Sequence, residues 1–241
     1  MPLDVKRWLR DVFIRLPPGL TTYLLSLRSS ARKSWGGPFN GQLRRQEMAA
    51  QLLRTLPFQA IVETGTYRGE TTAFLRRVSS LPVFSVEHND YFFRIGSRRF
   101  RGDPGVHIVQ ADSRHALRSW ASDGKLAGLT LFYLDAHWSE DVPLRDELSI
   151  IDQGWVEWVA ILDDFKVPDD PGYAYEQYPN ASLELDYLRL DRLTPIRVFW
   201  PSARSESETG AKRGCVVLVP DGPLVAPLSE LPQLRIAARS G

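Results

Sequence analysis

The chain has 241 residues, of which 43% are hydrophobic and 24% charged, with a formal net charge of +1. This is an ordinary globular composition, long enough for one large α/β domain, and it argues against bulk nucleic-acid binding. Its one cysteine, Cys215, excludes an internal disulfide framework, and no apolar run approaches the roughly 20 residues of a membrane span. The N-terminus lacks the pattern of a secretory signal, so we expect a cytoplasmic protein.

The first 50 residues are basic. They hold nine Lys and Arg against three acidic residues, so they carry about +6 and the remainder about −5. Apolar side chains recur there at helical spacing, at Trp8, Leu9, Val12, Phe13 and Leu16. Two interpretations stay open: a helix that contacts a membrane surface or a partner, or a helix that packs on its own domain or on a second subunit of a homo-oligomer.

The rest of the chain alternates between helical stretches and short apolar runs. A helix is predicted over about residues 42–56, and helical stretches also separate the successive strands. The predicted parallel strands cover 59–63, 82–87, 106–112, 129–135 and 158–164. Two closing strands are predicted in IRVFWPS (196–202) and GCVVLVP (214–220). The pattern predicts a doubly wound, mostly parallel seven-stranded α/β sheet with helices on both faces.

Two segments stand outside this alternation. The loop 164–182 is too long for a simple connection and is predicted to be a lid or substrate loop. Its tyrosines, Tyr173, Tyr175 and Tyr178, either line an acceptor pocket or anchor the loop. The stretch ETGAKRG (208–214) favours a hairpin turn, the alternative being that its basic residues face an anionic acceptor.

Acidic residues stand at the end of each predicted parallel strand. They are Glu63, Glu87, Asp112, Asp135 and the pair Asp163–Asp164. Carboxyl ends of parallel strands meet at one edge of the sheet, so a phosphate-rich ligand would be repelled there and a cationic cofactor with free hydroxyls would be favoured. The glycines of the first loop, Gly65 and Gly69, also lack the spacing of a dinucleotide-binding turn.

Four segments taken in order resemble a known family. VETGTYRGETT (62–72), VFSVEHN (83–89), VQADS (109–113) and LFYLDAHW (131–138) are similar to the successive motifs of class I S-adenosylmethionine-dependent methyltransferases. The resemblance covers roughly residues 58–165. It implies a Rossmann-like methyltransferase domain over 41–241, preceded by a basic helical extension over 1–40.

The resemblance also implies roles for individual residues. The glycine loop of the family passes beside the methionine part of the cofactor, which implicates Glu63, Gly65, Tyr67 and Gly69. Glu87 would bind the ribose hydroxyls. Asp112 and Ser113 would lie near the adenine edge, and Asp135 near the methionine end and the acceptor.

The later motifs point to a subclass. LDAHW followed by ILDDF resembles the cation-dependent O-methyltransferases of the catechol and macrocin types, which implies Mg²⁺ held by Asp135, Asp163 and Asp164. Three carboxylates at adjacent strand ends would repel one another without a hard cation, and oxygen ligands suit Mg²⁺ or Ca²⁺ better than Zn²⁺. The alternative is that Asp163 or Asp164 caps the following turn.

Catalysis would also need a base beside the acceptor hydroxyl. His137 is the first candidate because imidazole exchanges protons near neutral pH, and Lys166 is the second. The chain departs here from the catechol enzymes, since Ser139 and Glu140 stand where those enzymes place a lysine. His137 can equally be a structural loop histidine.

The sequence therefore predicts an O-methyltransferase that acts on a hydroxyl of a small molecule, with a sugar or glycosylated acceptor preferred over another secondary metabolite. Three alternatives remain at this point. They are a metal-independent methyltransferase, a nucleotide-sugar glycosyltransferase in which the carboxylate of LDAH holds a metal-bound diphosphate, and a non-catalytic cofactor-binding scaffold. The glycosyltransferase leaves the glycine loop without a role.

Overall fold

A computed structural model describes residues 36–124, 126–137 and 141–237 of the chain. The helix predicted around Trp8 lies outside these ranges, as does Trp138 of the LDAHW motif. None of the helices in the described ranges is long and apolar enough to cross a membrane.

The described residues alternate between strands and helices as the sequence predicts. The strands are β1 Ala60–Thr64, β2 Val83–Glu87, β3 Val106–Gln110, β4 Thr130–Leu134, β5 Trp158–Asp163, β6 Gln177–Tyr178, β7 Ala181–Ser182, β8 Ile196–Pro201, β9 Cys215–Pro220 and β10 Leu234–Ile236. The α-helices are α1 Leu43–Thr55, α2 Glu70–Ser79, α3 Asp90–Arg99, α4 Ser113–Asp123, α5 Leu144–Gly154, α6 Leu185–Leu188 and α7 Val225–Ser229.

The main sheet has eight strands in the order β10-β8-β9-β5-β4-β1-β2-β3. Strands β1 to β5 are mutually parallel, while β9 runs antiparallel to β5 and β8 antiparallel to β9. The predicted doubly wound, mostly parallel sheet is confirmed. The predicted count of seven strands is wrong, because β10 adds an eighth at the β8 edge, where Leu234 pairs with Pro201.

The central strands are apolar because both of their faces are covered. Every residue of β4 and β5 is buried. One face packs against α1, α2 and α7, through side chains such as Met48 and Leu75. The other packs against α4 and α5, through side chains such as Leu117 and Leu148. Strands buried on both faces read as unbroken hydrophobic runs, which is why the sequence locates them.

The order of the strands places a topological switch point, where sheets of this kind form a crevice, at the carboxyl edge of the sheet. The chain leaves β1 toward β2 on one side, while β4 lies on the other, so the connections after β1 and β4 diverge. Ligands bind at such switch points in doubly wound sheets. Strand β9 begins at the same edge, since Cys215 pairs with Asp163, and it brings the preceding turn toward the end of β5.

Candidate active site

The loop between β1 and α2 forms one wall of the crevice. Gly65 has a φ of 88°, and a Cβ atom at this position would lie 2.4 Å from the Asp135 carbonyl oxygen. Gly69 has a φ of 71° and directly precedes α2. A side chain would be strained at both positions, and at Gly65 it would also push the loop away from the end of β4. The two glycines therefore allow the loop to close against β4.

Glu63 lies beneath this loop and is fully buried. Its Oε2 accepts hydrogen bonds from the hydroxyls of Thr72 (2.5 Å) and Ser85 (2.6 Å). Its Oε1 is buried and has no hydrogen-bond partner among the residues that the structure describes. Burial raises the pKa of Glu63 to about 7, although the Ser85 and Thr72 hydroxyls act to lower it. An orphaned, buried carboxylate oxygen requires a donor, and a cationic donor would also offset the burial of its charge.

Glu87, at the end of β2, connects that strand to the glycine loop. Its Oε2 accepts from the backbone N–H of Tyr67, and its Oε1 from that of Asn89, both at 2.8 Å. Burial raises the pKa of Glu87. Tyr67 has a φ of 49°, and its ring packs on Phe92 with centroids 4.3 Å apart. The structure thus brings Glu87 and Tyr67 together beside Glu63.

Asp112 and Ser113 follow β3, at the same edge of the sheet. Asp112 caps α4, accepting the backbone N–H of Arg114 at 2.9 Å. The Arg114 guanidinium also binds this carboxylate at 2.6 Å and lowers the pKa of Asp112 to about 2. Ser113 is buried in the first turn of the helix. The charge of Asp112 is therefore already paired within the protein.

Asp163, the last residue of β5, is held by protein donors on both oxygens. Its Oδ1 is paired with the Arg45 guanidinium of α1 and accepts the Asp164 backbone N–H at 2.8 Å. Its Oδ2 accepts the Tyr133 hydroxyl at 2.5 Å. Burial acts to raise the pKa of Asp163, but the Arg45 charge and these hydrogen bonds hold it below the ordinary value.

A second group forms around the end of β4. Asp135, His137 and Asp164 each present one ligand atom, and these atoms lie within 4.8 Å of one another. His137 Nε2 stands 3.7 Å from Asp135 Oδ1 and has no hydrogen-bond partner within residues 36–124, 126–137 and 141–237. The other ring nitrogen, Nδ1, is 3.1 Å from the Tyr178 hydroxyl. The structure brings together two of the three predicted metal ligands and the first predicted base, and it leaves Asp163 in its ion pair.

Asp164 reaches this group through an unusual backbone conformation. Its φ is 54°, which ends β5 and turns the side chain away from that of Asp163. Its Oδ1 accepts from Arg213 Nε at 2.6 Å, and Arg213 also pairs with Glu176. Arg213 belongs to the predicted hairpin-turn segment, where it binds two acidic side chains of the protein itself.

The group has more negative than positive charge. Burial, followed by repulsion from Asp163 and Asp164, raises the pKa of Asp135 well above its ordinary value. Burial and the Asp163 charge likewise raise the pKa of Asp164. Among the described residues, no Lys or Arg lies within ion-pair distance of the Asp135 carboxylate. A cationic ligand would complete this arrangement.

Lys166, the second predicted base, is not brought to this group. Its Nζ donates to Glu184 at 2.6 Å, and its side chain is 40% exposed. The hydrogen bond from Lys166 to Glu184 raises the pKa of Lys166, which keeps the amine protonated. The same long loop contains Tyr173, whose hydroxyl donates to the Ala203 carbonyl at 3.0 Å. Tyr173 therefore anchors the loop.

Sequence reasoning missed Arg45 and Tyr133. Arg45 was counted with the basic N-terminal segment, yet it recurs with Met48, Ala49 and Leu52 on the buried face of α1. A charged residue in the apolar stripe of a helix is a signal of a buried partner. Tyr133 lies within a fully buried strand, and only the neighbouring acids at the strand ends indicate that its hydroxyl has a partner.

Comparison with known proteins identifies the fold. No protein-family model matches the chain, and no curated protein matches its sequence. Among solved structures, a Klebsiella pneumoniae protein provisionally described as an O-methyltransferase is similar, with 16% identity, a TM-score of 0.57 and coverage of 90% of this chain and 96% of that one. A Bacillus cereus O-methyltransferase in complex with SAH has 16% identity, a TM-score of 0.56 and coverage of 90% and 97%.

A third similar structure is MtNAS in complex with MTA and tNA. It has 16% identity and a TM-score of 0.55, and the match covers 89% of this chain and 69% of that one. Likenesses at such identities establish the fold, so the predicted Rossmann-like methyltransferase fold is confirmed. The reaction has to be argued from the residues of the site.

Proposed function

We propose that this chain is an S-adenosylmethionine-dependent methyltransferase that acts on a hydroxyl of a small molecule with the help of a divalent cation. The observation that carries the proposal is the orphaned Oε1 of Glu63, buried under the glycine loop in a fold shared with an SAH-bound O-methyltransferase. A buried acceptor with a raised pKa fits the ammonium group of the cofactor.

The other acidic residues of the crevice are assigned to the remaining parts of the cofactor. Glu87 is assigned to the ribose hydroxyls, because each of its oxygens has a further lone pair beyond the backbone N–H that it already accepts. Ser113 and Asp112, at the end of β3, are assigned to the adenine edge. The bound cofactor supplies the electrophilic methyl group, and the chain aligns it with the acceptor.

Asp135 and Asp164 are assigned to the cation, since their carboxylates converge and Asp135 has no cationic partner among the described residues. A cation held there would lower the pKa of an acceptor hydroxyl. His137 faces the same point, either as a third ligand or as the base. The surplus of acidic side chains favours a neutral or cationic acceptor, and a sugar, a glycosylated compound or another secondary metabolite meets that condition.

Two further expectations complete the proposal. The single cysteine supports a reducing, cytoplasmic location. The basic segment before residue 41 supports contact with a membrane surface or a second subunit.

The test is a calorimetric titration of S-adenosylmethionine into the EDTA-treated full chain. We expect binding in the micromolar range, weakened at least about tenfold by Glu87→Gln, because one charged acceptor is lost while the side-chain shape is kept. The matched control is Glu157→Gln, an exposed acid at the opposite edge of the sheet. A wild-type protein that binds no S-adenosylmethionine with or without Mg²⁺ would overturn the proposal.

A further inference from the structure

We infer that the cation site of this chain is a mixed nitrogen and oxygen site for a first-row transition-metal ion, built from Asp135, His137 Nε2 and Asp164, and that Tyr178 orients the histidine. The inference rests on the proposed function for the role of the ion. It differs from the all-carboxylate Mg²⁺ site predicted from the sequence.

The first observation is the unpartnered imidazole nitrogen. The His137 side chain is only 3% exposed, and its buried Nε2 has no hydrogen-bond partner in the described part of the chain. A buried polar atom without a partner destabilises the folded state, so native structures rarely retain one without a role. Nε2 stands 3.7 Å from Asp135 Oδ1, and two donors bound at about 2.1 Å to one ion are about 3–4 Å apart.

The second observation is that the third predicted carboxylate is already used. Asp163 is neutralised by Arg45, and both of its oxygens accept hydrogen bonds from the protein. Asp164 is also paired, with Arg213 through Oδ1, but it still converges with Asp135 and His137. The convergent donors among the described residues are therefore two carboxylates and one imidazole. Mg²⁺ binds oxygen ligands almost exclusively, whereas imidazole suits transition-metal ions. Replacing an oxygen donor by nitrogen therefore shifts the preference away from Mg²⁺.

The third observation is the support behind the histidine. Tyr178 Oη lies 3.1 Å from Nδ1, so an Nδ1–H that donates to this oxygen leaves the Nε2 lone pair directed at the carboxylates. Partners of this kind fix the ring orientation and the tautomer of metal-binding histidines. The loop that carries Tyr178 is tied to Asp164, because the Glu176 N–H donates to the Asp164 carbonyl at 2.9 Å. One loop thus positions two of the three ligands.

The test uses Mn²⁺ as the probe, on the EDTA-stripped full chain without S-adenosylmethionine. Electron paramagnetic resonance measures free Mn²⁺ during the titration, and pulsed measurements detect nitrogen coupling to the bound ion. We expect one Mn²⁺ per chain with imidazole coupling, and Mg²⁺ as a competitor at least about tenfold weaker. His137→Gln should weaken Mn²⁺ at least about 100-fold and abolish the coupling, and Tyr178→Phe should weaken it about tenfold.

The controls separate this result from folding defects. His115→Gln replaces an exposed histidine of α4, and Tyr175→Phe alters a tyrosine of the same loop whose ring lies by Lys166. Both should bind Mn²⁺ like the wild type. Unchanged S-adenosylmethionine binding by His137→Gln would show that the cofactor site is intact.

Two results would overturn the inference. Bound Mn²⁺ without nitrogen coupling would show that the carboxylates bind the ion without His137, which would then be assigned as the base. The absence of Mn²⁺ binding would remove the site. In either case, S-adenosylmethionine binding to the metal-free wild type would leave the methyltransferase proposal standing.

Discussion

The guanidinium group of Arg45 forms a buried ion pair with the carboxylate of Asp163, across 118 residues of sequence. The two side chains are 3% and 1% exposed. The pair ties α1 to the end of β5 and removes Asp163 from the neighbouring group of acids. In this way a residue of the basic N-terminal part shapes the charge of the candidate site.

We predict that Arg45→Met destabilises the protein by about 3–5 kcal/mol, because it leaves the Asp163 charge buried and uncompensated. Urea denaturation followed by circular dichroism measures the change. Removing both charges in Arg45→Met/Asp163→Asn should restore much of the loss. Arg44→Met is the control, since Arg44 pairs with Glu47 at an exposed position. Equal effects of Arg44→Met and Arg45→Met would show that the ion pair is not what stabilises the end of β5.

The raised pKa of Glu63 predicts a specific pH dependence of stability. The value is about 7 in the folded protein against 4.5 ordinarily, so the folded state holds its proton more tightly than the unfolded chain. The stabilisation is complete below about pH 4.5 and is lost as the pH rises through about 7, and it amounts to about 3 kcal/mol. Glu63→Gln mimics the protonated form and should lack this loss.

Urea denaturation of both proteins between about pH 4.5 and about pH 8 checks this prediction. The difference between them isolates Glu63, because Glu147, whose pKa burial also raises to about 7, is present in both. Parallel stability curves for the wild type and Glu63→Gln would contradict it.

Gly65 is predicted to be irreplaceable for a reason beyond its backbone angle. Gly65→Ala brings a Cβ atom within 2.4 Å of the Asp135 carbonyl oxygen and also adopts a φ of 88°. Gly124→Ala shares the positive φ, at 61°, but its Cβ meets no atom of the other described residues within 4 Å. We expect Gly124→Ala to lose only the roughly 1–2 kcal/mol of a left-handed residue. Gly65→Ala should lose more and should also bind S-adenosylmethionine more weakly.

Thermal unfolding and calorimetry of the two variants supply the comparison. Equal losses of stability, together with wild-type cofactor affinity in Gly65→Ala, would show that the contact between the glycine loop and β4 is not required. The stability losses of the two variants can be compared because both substitutions add one methyl group at a glycine with a positive φ.

The sequence predicts the parts of this fold that depend on local patterns. The bounds of β1 to β5 agree with the prediction to within two residues, because strands buried on both faces are continuous apolar runs. Strand β10 was missed because its three residues, Leu234–Ile236, form an edge and include a partly exposed arginine. A run that short has no periodicity to detect.

In the candidate site, too, the sequence predicts where the acidic residues lie but not which side chains contact them. Glu63, Glu87 and Asp135 could be placed at one edge because parallel topology brings strand ends together. The partners of the site residues could not be predicted, since Arg45 lies 118 residues from Asp163, and Tyr178 lies 41 residues from His137. Arg45 pairs with Asp163 and Arg213 with Asp164, so these contacts decide how much negative charge remains for a cation. They depend on how α1 and the segment before β9 pack against the end of β5.

Cofactor affinity should also depend on the protonation of Glu63. Its carboxylate must be ionised to pair with the ammonium group, so binding to the free protein, with a Glu63 pKa of about 7, releases a proton at lower pH. We expect S-adenosylmethionine affinity to rise about tenfold from about pH 6 to about pH 8 and then to level off. Glu63→Gln should bind more weakly and show little of this rise.

Calorimetry in two buffers of different ionisation enthalpy measures both the affinity and the proton release. Glu157→Gln, whose exposed acid lies at the far edge of the sheet, should keep the wild-type profile. If the affinity of Glu63→Gln for S-adenosylmethionine rose equally with pH, the titrating group would be another acid of the crevice. In that case the orphaned oxygen beneath the glycine loop would not be the acceptor of the ammonium group.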